Sequence, residues 1–153
     1  MLIPKASLNY GNHFILDLTN CNQDKLYFKN LGYNYIREII TSNKATLLNE
    51  TRHIFPNDAY TVLFLLGESH VSLHSFPEDK YIAIDIYTCG GNVITSNIVT
   101  EFILYFESTT PKVNHVIRNN PLDIEPVEYR IGDFFKHHDD EHYEVVNLLL
   151  LES

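Results

Sequence analysis

The sequence predicts an α+β protein, a two-layer protomer in which helices cover one face of an antiparallel sheet. Three observations carry this. Tyr81 to Thr88 (YIAIDIYT) alternates, with Ile82, Ile84 and Ile86 on one face and Tyr81, Ala83, Asp85 and Tyr87 on the other, the period of a half-buried strand. Gln23 to Ser42 sets Leu26, Tyr27, Leu31, Tyr35, Ile36, Ile39 and Ile40 at helical spacings. The segments then run in the order β-α-β-β-β-β-α-β, which favours mostly antiparallel neighbours.

The elements follow in chain order. His13 to Thr19 (HFILDLT) is short and apolar and reads as a strand; Asn22 after it can cap the helix that ends near Ser42, with Gly32 interrupting its middle. Ala45 to Phe55 reads as a second strand, stopped by Pro56-Asn57-Asp58. Tyr60 to Leu66 (YTVLFLL) is continuously apolar, as suits a strand covered on both faces. Gly67-Glu68-Ser69-His70 leads into VSLHS, and Pro77 to Lys80 is a turn before the alternating strand. Cys89-Gly90-Gly91 ends that strand, Asn92 to Ser108 is a second helix despite its β-branched content, and Lys112 to Arg118 is a further strand.

A chain of 153 residues points to a single domain, spanning 1–153, large enough to fold without disulfide or metal. A formal net charge of −9 argues against nucleic acid or an anionic membrane as partner. Two cysteines, Cys21 and Cys89, make neither a disulfide framework nor a zinc ribbon, and the expected setting is reduced and cytoplasmic. No apolar run reaches the roughly 18 residues of a membrane span, and the N-terminus lacks a signal-peptide pattern. Residues 121–153 read as a C-terminal extension. Its run His137-His138-Asp139-Asp140-Glu141-His142 has ligand-type side chains, but adjacent residues do not fix a tetrahedral site, so a solvated loop is expected and no metal. Leu148 to Leu151 reads as a docking segment.

The chemistry concentrates in Gly67 to Gly90, GESHVSLHSFPEDKYIAIDIYTCG. Taken singly, Ser69 is a turn serine, His74 a satisfied strand histidine and Cys89 a small buried hydrophobe. Together they match a pattern: Glu-Ser-His, three residues, His, an aromatic-Pro-Glu segment, then Asp-x-aromatic-Thr-Cys-Gly. This block resembles the prokaryotic S-adenosylmethionine decarboxylase proenzymes, and every element of their pattern is present in order. The resemblance extends more weakly to Gly11-Asn12-His13 and Cys21 and covers about residues 10–118.

The resemblance implies a decarboxylase whose cofactor is a pyruvoyl group made from Ser69. Decarboxylation needs an electron sink that no ordinary side chain supplies. The Ser69 hydroxyl would attack the Glu68 carbonyl to give an ester, and β-elimination and hydrolysis would leave pyruvoyl and ammonia. The chain would thus part between Glu68 and Ser69 into a β chain, 1–68, and an α chain, 69–153. By the same resemblance His74 supplies the base for elimination, Cys89 protonates the substrate carbon, Glu78 binds the ribose hydroxyls and Phe55 stacks on adenine. Ser69, as pyruvoyl, would hold the substrate amine as a Schiff base. The family serine that supports processing is Thr61 here, followed by Val62 where the family has glycine, and Phe76 stands where tryptophan is common. The implied assembly is a homodimer forming an α-β-β-α sandwich with active sites between subunits, and the product is the aminopropyl donor for spermidine.

Two alternatives stand beside this reading. A pyruvoyl enzyme acting on an amino acid such as ornithine or arginine would share the processing residues. A non-catalytic relative that activates a partner subunit would have no need to keep Ser69, His74 and Cys89 together. Cys21 reads as structural, His70 as structural or local to the cut, and Asp85 as a pairing residue within the sheet. Strict alternation places Ser69 and His74, five residues apart, on opposite faces, so the two meet only if the chain bends near Ser69.

Overall fold

The alternation read from the sequence is realised in a single large sheet. The computed structural model describes residues 11–89, 93–119, 125–129, 135–139 and 142–145. The strands are β1 (Gly11–Thr19), β2 (Leu47–Ile54), β3 (Tyr60–Leu66), β4 (Ser69–Phe76), β5 (Tyr81–Cys89), β6 (Thr110–Arg118) and β7 (Val127–Tyr129). They lie in the order β2-β3-β4-β5-β1-β6-β7, and every neighbouring pair is antiparallel. Helices α1 (Tyr33–Ser42) and α2 (Thr95–Phe106) complete the α+β arrangement. No helix among the described residues is long and apolar enough to cross a membrane.

Period-two alternation sends one side of each central strand into the core. Phe14, Leu16 and Leu18 of β1, Val62 and Phe64 of β3, Val71 and Leu73 of β4, and Ile82, Ile84 and Ile86 of β5 are all buried. They join Ile36, Ile39 and Ile40 of α1 and Ile98, Val99, Phe102, Ile103 and Phe106 of α2 in one cluster. Truncating a ring such as that of Phe102, fully buried, would cost about 3–5 kcal/mol.

Among the described residues no helix covers the opposite face of the sheet. Leu63 and Leu65 are 47% and 53% exposed, so β3 is covered on one face, not on both as its continuous apolar run suggested. The physical reason is that both helices pack against the face carrying Tyr60, Val62, Phe64 and Leu66.

The helix expected over Gln23 to Ser42 is divided. Two 3-10 turns, Gln23–Leu26 and Phe28–Asn30, precede α1. Tertiary hydrogen bonds capture the backbone groups that a continuous helix would use: Tyr60 Oη donates to the Lys25 carbonyl (2.9 Å), Ser75 Oγ to the Leu26 carbonyl (2.8 Å), and the Lys29 amide donates to the Asp58 carboxylate (3.0 Å). The break falls at Gly32, where an added Cβ would stand 2.8 Å from Tyr105 Oη.

The tail also departs from expectation. Val127–Tyr129 pairs with β6 and widens the main sheet. The described residues of the histidine-acid run, 137–139 and 142, are in strands and not in a loop: β8 (Phe135–Asp139) and β9 (His142–Val145) form an antiparallel ribbon in which His137 pairs with Tyr143. Composition alone suggested solvation, and pairing between the flanking Phe135 and Val145 was not visible in it. Asp140, Glu141 and Leu148 to Leu151 lie outside the described residues.

One buried histidine couples this fold to pH. His115 on β6 is 1% exposed, stacks on Phe14 with ring centroids 4.0 Å apart and contacts Asn12 through Nε2 at 2.9 Å. Burial disfavours the imidazolium and lowers its pKa to about 4. The unfolded chain therefore binds this proton first, so stability is full above about pH 6.5 and falls as pH drops toward 4, by roughly 3 kcal/mol for this group. Denaturant unfolding of wild type and His115→Gln between pH 7 and pH 4 should show a shallower pH slope in the variant; equal slopes would remove His115 as the cause.

Candidate active site

The chemistry-bearing side chains sit in two groups at opposite ends of β3 and β4. The first surrounds the hairpin that joins those strands. Leu66 pairs with Ser69, leaving Gly67 and Glu68 as a two-residue connection. That connection is tied down: the Gly67 amide donates to the Thr46 carbonyl (2.8 Å), and the Glu68 carboxylate accepts from the Thr46 amide (3.0 Å) and hydroxyl (2.9 Å).

The peptide between Glu68 and Ser69 is held at both ends. The Glu68 carbonyl oxygen accepts two hydrogen bonds from Cys89, one from its amide (2.9 Å) and one from its thiol (3.3 Å). Paired donors polarise a carbonyl and hold the negative charge that attack on it creates. Ser69 adopts φ 151°, a region that only glycine enters freely, at a cost of about 1–3 kcal/mol. Its hydroxyl lies 3.2 Å from His70 Nδ1. Ser69 also pairs with Thr88, which brings the following residue, Cys89, beside the Glu68 carbonyl. Cys89 is exposed, not the buried hydrophobe its residue type suggests.

The second group lies at the far end of the same strands. Thr61 and His74 are directly opposed across β3 and β4, and Thr61 Oγ1 contacts His74 Nδ1 at 2.9 Å. The His74 ring is stacked on Phe76 (centroids 4.6 Å apart) and lies 5.9 Å from Phe55. Phe76 stacks in turn on Tyr81, whose hydroxyl donates a short hydrogen bond to Asp17. That carboxylate and burial push the Tyr81 phenol up to about 12, burial being the larger cause. Glu78 accepts from Asn57 Nδ2 at 3.0 Å, which holds its carboxyl below the usual range. Phe55, Asn57, His74, Phe76 and Glu78 line an open cleft of about 360 Å³.

Ser69, Glu68 and Cys89 are thus brought together, as are Phe55, Thr61, His74 and Glu78, but the two groups do not meet. β4 keeps unbroken register with both neighbours from Ser69 to Phe76, so five residues separate Ser69 from His74 by about 16 Å. The strained backbone at Ser69 is real, yet it does not carry the serine to His74 within one chain.

Other residues fall into place around these groups. Cys21 is buried, its thiol donates to the Leu18 carbonyl (3.2 Å), and burial pushes its pKa up to about 12, in keeping with a structural role. Asp85 pairs with His13 Nε2 at 3.0 Å within the sheet. Thr46, Asn57 and Asp17 escaped the sequence reading. Asn57 sat in a Pro-Asn-Asp turn that carried only a turn signal, and Thr46 is linked to Glu68 solely by tertiary contact.

These features define a class, an α+β protein with a bare sheet face and a Glu-Ser peptide polarised beside a cysteine. Residues 12–119 match the family model for S-adenosylmethionine decarboxylase, and the chain belongs to that family. It is 33% identical over 109 residues to the S-adenosylmethionine decarboxylase proenzyme of Synechococcus sp. (strain WH7803), covering 71% of this chain and 82% of that protein. It is 31% identical over 117 residues to the proenzyme of Methanococcus vannielii, covering 76% and 95%. The crystal structure of the Aquifex aeolicus adenosylmethionine decarboxylase shares the fold, with a TM-score of 0.62 at 21% identity over 72% of this chain and 89% of that one.

The backbone at residue 69 yields a direct test. Ser69→Gly relieves the positive φ while Ser69→Ala does not, and neither can form an ester. Thermal unfolding should find the glycine variant more stable by about 1 kcal/mol, after its own entropic cost. An alanine variant equal or superior in stability would mean the position is unstrained.

Proposed function

We infer that this chain is the proenzyme of a pyruvoyl-dependent decarboxylase of S-adenosylmethionine, cut by its own chemistry between Glu68 and Ser69 into segments 1–68 and 69–153. The observation that carries the reading is the Glu68 carbonyl, which accepts both the amide and the thiol of Cys89 while the next residue is a strained serine. Attack by Ser69 Oγ on that carbonyl carbon forms an ester in place of the amide, and the two Cys89 donors hold the charge on oxygen. Removal of the Ser69 α-proton by His74 expels the main-chain carboxylate of Glu68 and leaves dehydroalanine, which water hydrolyses to pyruvoyl and ammonia. The resulting pyruvoyl carbonyl supplies the electron sink that takes up the pair left by departing carbon dioxide.

The remaining residues bind and protonate. Phe55 and Phe76 offer aromatic faces to the adenine and to the sulfonium cation, an attraction of about 0.5–2 kcal/mol. Glu78, held by Asn57, accepts from the ribose hydroxyls. The Cys89 thiol, exposed beside the cut, returns a proton to the substrate carbon. Thr61 holds His74 through Nδ1, leaving Nε2 as the base.

A homodimer completes the site. An isologous interface between two bare sheet faces buries Leu63 and Leu65 and makes the α-β-β-α sandwich. A two-fold axis near the middle of β4 then sets the Ser69 end of one chain against the partner's His74 end, bridging the separation within each chain.

Mixing two inactive variants tests this arrangement. Ser69→Ala and His74→Ala chains should each stay uncut, while their heterodimer regains one complete site and cuts the His74→Ala chain. Absence of cutting in verified heterodimers would place Ser69 and His74 of the same chain in one site. Carbon dioxide release should follow S-adenosylmethionine and not ornithine or arginine; the reverse preference would reassign the substrate.

A further inference from the structure

We propose that His70 is a catalytic residue of self-cleavage, the general base that takes the Ser69 hydroxyl proton during the acyl shift. This rests on the self-cleavage reading above and deepens it, because the shift and the elimination remove protons from two different atoms. The shift needs a base at Ser69 Oγ, and the elimination needs one at the Ser69 α-carbon. Within one chain His74 lies about 16 Å along β4 from Ser69, and in the proposed dimer the His74 end of the other chain serves the α-carbon. His70 Nδ1 stands 3.2 Å from Ser69 Oγ, inside the range that a general base occupies before its hydrogen bond tightens.

The surroundings hold His70 in that position. It lies on the bare face of β4, opposite Leu65 on β3 and Tyr87 on β5. Its ring packs 5.7 Å from the Tyr87 ring, which also has His13 5.9 Å away on another side. In the neutral tautomer protonated on Nε2, Nδ1 is the acceptor for the Ser69 hydroxyl.

The step balances. The Ser69 Oγ proton passes to His70 Nδ1 as Oγ bonds to the Glu68 carbonyl carbon. The carbonyl π pair moves onto oxygen, where the Cys89 amide and thiol receive it. Collapse breaks the bond from that carbon to the Ser69 nitrogen, and the proton on His70 goes to the departing amine. An ester and a free amine result, and His70 is neutral again.

Hydroxylamine separates the two histidines, because it cleaves an ester under conditions in which an amide resists. Full-length wild type, Ser69→Ala, His70→Ala, His70→Gln and His74→Ala are followed by intact mass, with and without hydroxylamine. Both His70 variants should cut about 100-fold more slowly or worse, with uncut chain resistant to hydroxylamine, and imidazole should restore cutting to His70→Ala. His74→Ala should instead accumulate hydroxylamine-sensitive chain. His70→Gln retains a polar partner for Ser69, so it carries the test if the alanine variant does not fold. The proposal is overturned if the His70 variants cut within about tenfold of wild type, if their uncut chain is hydroxylamine-sensitive, or if imidazole leaves a folded His70→Ala unchanged. An uncut wild type indistinguishable from Ser69→Ala would instead sink the self-cleavage reading itself.

Discussion

The pair of hydrogen bonds from Cys89 to the Glu68 carbonyl joins the end of β5 to the hairpin between β3 and β4. It requires Ser69 to pair with Thr88, which in turn fixes the register along the whole of β4 and β5. A slip of one residue would move the thiol away from the carbonyl and reverse the faces of Ile82, Ile84 and Ile86. The core and the Glu68-Ser69 peptide are therefore set by the same register, which the apolar side of β5 locks. Thr88 adds a buried contact, its hydroxyl 2.9 Å from that of Thr95 at the start of α2.

A bare sheet face is the second constraint. Two helices cover one side, and Thr61, His70 and His74 lie on the other. Strand length then forces a division, because the Glu68-Ser69-Cys89 group and the Thr61-His74-Glu78 group occupy opposite ends of the same hairpin. His74, Phe76 and Tyr81 stack in series, with Phe55 tilted against His74 and Tyr81 bonded to Asp17, and form one wall of the second group. Within the proposed dimer the two ends are halves of one site, and the exposed leucines of β3 become its interior.

Local pattern made much of this legible. The alternation of Tyr81 to Thr88 and the spacing of Ile36, Ile39 and Ile40 are backbone periodicities that survive into the structure unchanged. The order of the elements through β6 was readable for the same reason. The motif from Gly67 to Gly90 named the residues around the Glu68-Ser69 peptide because they are close in sequence as well as in space. What failed was tertiary. The helix over Gln23 to Ser42 lost its first half to hydrogen bonds from Tyr60, Ser75 and Asp58, partners more than two dozen residues away. Thr46 and Asn57 gave no signal because each acts on a residue that only the fold brings near. Alternation placed Ser69 and His74 on opposite faces, and the left-handed backbone at Ser69 could not be read from residue type.

The central claim is that the peptide before Ser69 is cut by the chain's own chemistry. The most direct measurement is the intact mass of the purified protein, with Ser69→Ala alongside. The account predicts two fragments parted between Glu68 and Ser69, the downstream one beginning with a pyruvoyl group and refractory to N-terminal sequencing, and an unbroken Ser69→Ala chain. A wild-type chain that remains whole, with an unmodified serine at position 69, would contradict it.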